Sequence, residues 1–201
     1  MFQRLIDDEV ALALLEEQHA PALFALIESH RTYLRRWLPW LDQNTTPEHT
    51  AAFIRTSLAQ FAARNGLACA ILLRGAIAGV VGMHRIDWPN RRTSLGYWVA
   101  ADRQGHGLAT RAAAALVDYA LVELGLNHVE IACAPGNRQS RAVPERLGFT
   151  LEGTLRQREW LYDHFVDHAV YGITAAEWAA RRVSTATGRR SGRGRRPSAR
   201  G

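Results

Sequence analysis

Residues Ser94–Glu123 read SLGYWVAADRQGHGLATRAAAALVDYALVE. The alternation in Leu95–Val99 predicts a strand, and the segment rich in alanine and leucine that ends at Gly125 has helical spacing. The loop between them, Asp102–Gly107, leads straight into the start of the helix. Glycine lets the main chain turn tightly, and the first N–H groups of a helix point to one side, where the helix dipole favours negative charge. The stretch therefore predicts a loop that binds phosphate groups.

Two widespread phosphate-binding loops do not fit these residues. The P-loop needs a lysine at the end of its glycine run, and this chain contains no lysine. The Rossmann fingerprint needs a strand, turn and helix near the start of a domain and an acidic residue at the end of the next strand. Here the next apolar run ends in Ala132–Ala134. The sequence thus excludes a P-loop and gives little support to a dinucleotide site.

A third kind of loop matches better. The segment Gln104-Gly-His-Gly-Leu-Ala109 resembles the Q/R-x-x-G-x-G/A signature with which GNAT-superfamily acetyltransferases hold the pyrophosphate of acetyl-CoA. Five further motifs occur in the family order and resemble the RimJ/RimL-type ribosomal-protein N-terminal acetyltransferases. They are Tyr33–Trp40, Gly96–Trp98, Asn137–Ser140, Glu145–Gly153 and Glu159–His164. The resemblance extends from about Glu9 to Trp178.

The resemblance implies a fold as well as an activity. We expect one GNAT domain of the α/β (α+β) class over residues 1–182, with a mixed, mostly antiparallel central sheet flanked by helices. The sheet should be splayed between its fourth and fifth strands, Gly96–Ala100 and Val129–Ala134. The apolar pattern independently predicts a last antiparallel pair of strands, Thr154–Arg158 and Phe165–Ile173.

Composition limits the class of protein. A chain of 201 residues with 47% hydrophobic content can form one well-cored domain. No apolar run is long enough to span a membrane, and Met1–Glu9 lacks the apolar core of a signal peptide, so we expect a cytoplasmic protein. Cys69 and Cys133 lie in apolar runs without CxxC spacing, which is typical of reduced core residues.

We expect no metal site. His164 and His168 share a face if they lie on a strand, but they are then far apart along it, and the helical HExxH pattern is absent.

The C-terminal segment differs from the rest in charge. The formal net charge is +6, and residues 184–201 contain six arginines and no acidic residue. We expect residues 183–201 to form a disordered Arg-rich tail. Two interpretations stay open: contact with the ribosome or RNA, because arginine pairs well with phosphate, or an extension without function in a chain that uses arginine in place of lysine.

Acetyl transfer from a thioester to an amine has three requirements: a neutral amine, a hydrogen-bond donor at the thioester oxygen, and a proton or stabilising group for the leaving thiolate. The resemblance implies that the backbone N–H of Val99 binds the thioester oxygen, that Ser140 is the acid and that Asn137 contacts the pantetheine arm. It also implies that acetyl-CoA is bound by Gln104, Gly105, His106, Gly107, Leu108 and Ala109. The alternative for Asn137 and Ser140 is that they only cap the following helix.

Pro144 interrupts the hydrogen bonds of the helix predicted over Asn137–Leu147, because proline has no N–H. If this helix starts near Gln139, the carbonyl of Ser140 loses its partner. Such a loss can splay the turn around the thiol site, but the resemblance favours reading Pro144, in Pro-Glu-Arg-Leu-Gly, as a family variant and not as a defect.

The sequence indicates the general base and the acceptor less clearly than the acetyl-CoA site. Candidate bases are His84, Asp87 and Glu130 on strands, and Tyr162, Asp163 and His164 in the turn between the last two strands. An α-amino group with a pKa of about 7.7–8.0 has a useful neutral fraction at pH 7, whereas a lysine side chain at about 10.4 does not. We therefore expect acetylation of an α-amine, and the resemblance implies that this amine is the N-terminus of a ribosomal protein.

Alternatives remain for the function. One is acetylation of a small amine, such as an antibiotic or a polyamine. Another is a ribosome- or RNA-binding protein that retains the fold. The resemblance is also compatible with a homo-oligomer.

Overall fold

A computed structural model describes residues 3–191, with side chains described as far as Val183. The strands are β1 (Gln3–Leu5), β2 (Val10–Leu14), β3 (Leu67–Leu73), β4 (Ala76–Met83), β5 (Arg92–Val99), β6 (His128–Cys133), β7 (Thr150–Leu161) and β8 (His164–Thr174). The α-helices are α1 (Ala20–Ser29), α2 (Arg31–Leu34), α3 (Pro47–Ala62), α4 (Leu108–Asp118), α5 (Arg138–Leu147) and α6 (Ala175–Ser191). A π-helical turn, Tyr119–Glu123, continues α4.

The strands form one sheet in the order β1-β2-β3-β4-β5-β6-β8-β7. Neighbouring strands are antiparallel except β5 and β6, which are parallel and are joined through α4, as a parallel pair requires. Pairing between β5 and β6 ends at Leu95 and Ile131, although β5 continues to Val99 and β6 to Cys133. The predicted splayed, mostly antiparallel sheet is thus confirmed. The strands predicted as fourth and fifth are β5 and β6, because β1 adds a strand at the N-terminus.

The sheet has a hydrophobic core on each face. Strand β3, which lies between β2 and β4, is buried on both faces, which explains its continuous apolar run. Leu67, Cys69 and Ile71 pack into the core that includes residues of α4, α5 and α6, whereas Ala68 and Ala70 pack into the core formed with α1 and α3. The helices on the second face therefore form one wall of any cleft that opens there.

The last two strands are longer than the sequence predicted. The expected pair Thr154–Arg158 and Phe165–Ile173 corresponds to β7 and β8, of 12 and 11 residues. Almost all of β7 is exposed, so no alternation of apolar residues marks its ends. Its pairing with β8 also shifts twice, between Leu151 and Gly153 and between Leu155 and Glu159.

The C-terminal helix is anchored by Trp178, which is buried and donates a hydrogen bond from Nε1 to Asp118 Oδ1 at 2.8 Å. Helix α6 continues past the predicted domain boundary at residue 182 and ends at Ser191. Residues 192–201, which make up the last part of the predicted tail 183–201, lie outside the described residues. The tail's disorder and its contact with the ribosome or RNA stay predictions. Across residues 3–191, no helix has the length and apolar character needed to cross a membrane.

Both cysteines are buried and free. Burial raises the pKa of the Cys69 thiol to about 12, so this thiol stays protonated. These properties agree with the predicted role as reduced core residues.

A close approach of two strands at Gly79 provides a test of the fold. A Cβ atom at this position would lie 2.2 Å from the Trp98 carbonyl oxygen and 2.9 Å from the Val99 Cα, both of which are backbone atoms of β5. We expect Gly79→Ala to lower the free energy of unfolding by about 1–3 kcal/mol, the usual cost of overpacking. Urea denaturation would measure the loss. The matched control is Gly153→Ala in β7, where a Cβ meets nothing within 4 Å. Equal midpoints for the two variants would contradict the packing described for β4 and β5.

Candidate active site

The glycine loop after β5 has the geometry of an anion-binding loop. Gly105 and Gly107 have φ angles of +81° and +68°, in the left-handed region that favours glycine. Gly107 is the N-cap of α4, and a Cβ at either glycine would meet nothing within 4 Å. The space above the loop and the free N–H groups of the first helical turn can therefore accommodate a diphosphate.

Side chains of the first turn of α4 fix the position of the glycine loop. Leu108 is buried under the first turn of α4, and Arg111 donates to the carbonyl oxygen of His106 at 2.8 Å. The same guanidinium forms an ion pair with Asp7, whose pKa is lowered by hydrogen bonds from the Glu9 N–H and from Arg111. The main chain of the loop is thus positioned before any ligand binds.

The gap between β5 and β6 contains a free main-chain donor. The Ser94 carbonyl accepts from the His84 N–H, and the Ala100 N–H donates to the Ala78 carbonyl, each at 2.9 Å. The main-chain groups of Ser94 and Ala100 therefore point towards β4. Since main-chain groups alternate in direction along a strand, the N–H of Val99 faces β6, beyond the last pair of the parallel ladder.

Helix α5 begins on the other side of this gap. Asn137 is its N-cap, and its Oδ1 accepts a hydrogen bond from the Ser140 N–H at 3.1 Å. The capping role considered for Asn137 is therefore present. The Ser140 side chain lies beside the Cys133 thiol, whose pKa is raised by burial although Ser140 acts to lower it. Asn137 and Ser140 both line the cleft that opens between the strands.

The turn around Ser140 is regular in spite of Pro144. The Ser140 carbonyl has a partner from outside the helix, because the Tyr97 hydroxyl donates to it at 2.9 Å. Arg141 N–H also bonds to the Asn137 carbonyl at 3.0 Å, as in a regular first turn. The sequence could not show the Tyr97 donor, because it comes from a distant strand.

The gap leads into a large cleft of about 1360 Å³ on the side of α1 and α3. Its aromatic lining consists of Trp37, Trp40, Phe53, Tyr97 and Trp98. Its polar lining includes His49, His84, Arg92, Ser94, Glu130, Glu152, Arg158, Glu159 and His168. Because Ser140 and Cys133 line the same cavity, a group held in the sheet gap is open to an acceptor that enters from this face.

Of the six candidate bases, His84 and Glu130 line the cleft. The His84 Nδ1 lies 3.1 Å from the Ser94 hydroxyl oxygen, and its ring covers Gly96, where a Cβ would lie 2.9 Å from Cε1 and Nε2. The surrounding protein lowers the pKa of His84, so the ring is neutral at pH 7.

The other four candidates are engaged elsewhere. Asp87 bonds to Asn90 and Arg92, the Tyr162 hydroxyl donates to the Leu38 carbonyl, and Asp163 pairs with His164. None of these four residues lines the cleft.

The sequence missed a carboxylate and imidazole pair on β7 and β8. Glu159 Oε2 lies 3.4 Å from His168 Nε2, and both half-buried side chains lie in the cleft wall. The period-two spacing of Val166, His168 and Val170 is the sequence signal for a shared face of β8. The register shifts in β7 cannot be seen in the sequence, so it does not show which residue of β7 lies opposite His168. Within the described residues, no group of three or more His, Cys, Asp or Glu side chains could hold a metal ion.

Comparison with known proteins identifies the family. The family model described as an acetyltransferase (GNAT) domain matches residues 9–150. A protein of Bacillus subtilis (strain 168), YdaF, which is provisionally named as a ribosomal N-acetyltransferase, is 34% identical over 179 residues. The alignment covers 89% of this chain and 98% of YdaF.

Two solved structures are similar in fold. RimL, a ribosomal α-N-protein acetyltransferase in complex with coenzyme A, has a TM-score of 0.83 at 25% identity, and the match covers 86% of this chain and 98% of RimL. The microcin self-immunity acetyltransferase MccE, in complex with acetyl-CoA and AMP, has a TM-score of 0.80 at 29% identity, covering 84% of this chain and 94% of MccE. Their names point to different acceptors.

Charge at the glycine loop can be tested with an isosteric pair of variants. Asn and Asp both tolerate the left-handed conformation that Gly107 adopts, so Gly107→Asn and Gly107→Asp should fold alike. The carboxylate of the Asp variant would repel the diphosphate, and we expect its Kd for acetyl-CoA to exceed that of the Asn variant by about tenfold. Isothermal titration calorimetry would measure both values. Equal affinities would show that the phosphates bind elsewhere.

Proposed function

The chain belongs to the GNAT acetyltransferase family, and we propose that it acetylates the N-terminal α-amino group of a ribosomal protein. The chain is an N-acetyltransferase that uses acetyl-CoA; the acceptor is the proposed part. The observation that carries the proposal is the continuous cleft, which joins the sheet gap to an open, aromatic-lined face. An extended N-terminal peptide fits such a cleft because aromatic walls bind its side chains while the amine reaches the gap.

We assign the donor side of the site to the residues around the gap. The N–H groups of Gly105 to Ala109 hold the diphosphate, with Gln104 at the start of the loop, and Asn137 contacts the pantetheine arm. The Val99 N–H donates to the thioester oxygen, and this donor acts strongly because it is fixed before the reaction. The Ser140 hydroxyl gives its proton to the departing sulfur. Acetyl-CoA supplies an already activated acyl group, so no enzyme nucleophile is needed.

On the acceptor side, we propose that the Glu159–His168 pair takes the proton of the amine. The carboxylate of Glu159 attracts the incoming ammonium group, and the His168 imidazole lies 3.4 Å from that carboxylate, within reach of the same amine. His84 is the weaker candidate, because burial disfavours its charged form and lowers its pKa.

The charges of the cleft favour a peptide over a polyamine. Of the three carboxylates of the lining, Glu130 lies 3.6 Å from the Arg92 guanidinium, and Glu152 and Glu159 lie 2.9 Å and 3.4 Å from the imidazoles of His128 and His168. Arg158 adds a further positive charge to the same wall. A polyamine carries several positive charges and would need uncompensated carboxylates, whereas a peptide brings one amine with side chains of either sign.

The acceptor can be identified with a panel of amines and isotopically labelled acetyl-CoA, read by mass spectrometry. The panel contains a ribosomal-protein N-terminal peptide, the same peptide with a blocked α-amine and a free lysine, an aminoacyl nucleotide and spermidine. We expect label on the α-amine of the free peptide. Label on spermidine or the nucleotide alone would replace the proposed acceptor with a small amine.

The role of Ser140 has a separate kinetic test. Ser140→Ala should lower kcat about 10²-fold, the usual loss on removing a general acid, with little change in the KM for acetyl-CoA.

The base assignment has its own test. Glu159→Gln and His84→Gln each remove one candidate while retaining a similar shape. We expect the Glu159 variant to lose about 10²-fold in kcat at pH 7 and the His84 variant to lose much less. The loss should shrink between pH 7 and 9, because an α-amine with a pKa of about 8 then deprotonates by itself. The reverse ranking in steady-state kinetics would assign the proton transfer to His84.

A further inference from the structure

Helix α5 lacks one internal hydrogen bond close to the proposed acid. In an α-helix the N–H of each residue donates to the carbonyl four residues earlier. Pro144 has no N–H, so the carbonyl of Ser140 receives no donor from within α5. Pro144 and Val143 are buried, and this part of the helix packs into the core beside the sheet gap.

The missing donor is replaced by a residue of the opposite wall. The Tyr97 hydroxyl donates to the Ser140 carbonyl at 2.9 Å, across 43 positions in the sequence. Burial raises the pKa of Tyr97 well above its usual value, so the hydroxyl remains a donor throughout the neutral and alkaline range. Tyr97 lies on β5 two residues before Val99, where the strand has already separated from β6.

A bond to β5 has a different consequence from a bond inside α5. A helical N–H would fix the Ser140 turn only relative to its own helix, as the Asn137 cap already does. The Tyr97 hydroxyl fixes the turn relative to the strand that carries the Val99 N–H. The two donors proposed for the thioester, one at its oxygen and one at its sulfur, are thereby held at a set separation.

We propose that Tyr97 is a positioning residue that holds the Ser140 turn against β5, and that Pro144 leaves the Ser140 carbonyl free for this bond. The inference rests on the proposed roles of Val99 and Ser140. It predicts that Tyr97 contributes to the rate of acetyl transfer separately from its contribution to stability.

The test is a cycle of three variants: Tyr97→Phe, Pro144→Ala and the double variant. Alanine at position 144 restores an N–H that can donate to the Ser140 carbonyl. We expect Tyr97→Phe to lower Tm and to lower kcat by about tenfold, with the KM for acetyl-CoA within about twofold of the parent value. In the double variant Tm should recover while kcat stays low, because the helical bond satisfies the carbonyl without linking it to β5. Recovery of both quantities would reduce Tyr97 to a structural partner and overturn the proposal.

Two controls separate this test from the proposed function. Tyr33→Phe removes a hydroxyl that bonds the side chain of Gln139 at 3.1 Å, next to Ser140, and should leave kcat unchanged. In a Ser140→Ala background, Tyr97→Phe should cost no further kcat, since its effect acts through Ser140. An additional loss there would overturn the proposal even if Ser140 is the acid. All rates are measured with whichever amine of the panel accepts the acetyl group, so an error in the acceptor does not affect the result.

Discussion

The end of pairing between β5 and β6 is the constraint on which the site depends. Four pairs join the strands, from Arg92 with His128 to Leu95 with Ile131, and beyond them the strands diverge. A closed sheet would consume the Val99 N–H in a ladder bond and would separate the faces of the sheet. The open gap leaves that N–H without a ladder partner on β6 and brings the start of α5 to the same place, where Asn137 and Ser140 line the cleft.

An open gap in a sheet loses the ladder that would otherwise fix its edges, so its walls must be held by other means. On one side, β5 keeps its antiparallel pairing with β4 as far as Gly79 and Val99. On the other, β6 remains paired with β8 as far as Cys133 and Ala169. Above the gap, the Tyr97 hydroxyl connects β5 to α5. Both walls of the site are thus held in place although β5 and β6 are not paired there, which is the condition for preorganised donors.

The sequence predicted the features that are encoded locally. The loop Gln104–Ala109 and the helix after it could be predicted because glycine positions and helical spacing depend on adjacent residues, and the family resemblance supplied the splay. The partners that come from distant strands could not be predicted. The Tyr97–Ser140 bond depends on the orientation of β5 against α5, and the Glu159–His168 pair depends on register shifts in an exposed strand whose residues show no apolar alternation. Of the six candidate bases, the sequence could not separate the two that line the cleft from the four that do not.

The distribution of charge in the cleft follows from the same topology. The register places Ser94 beside Glu130 and Glu130 beside Gly172, so one face of neighbouring strands presents polar groups in a row that begins at His84. Basic side chains lie next to the carboxylates along this row, with Arg92 reaching Glu130 and His128 reaching Glu152. An amine entering the cleft therefore meets carboxylates that already have a neighbouring guanidinium or imidazole. Such a surface attracts a single ammonium group without retaining it strongly, and this suits an acceptor that must lose its proton before it can react.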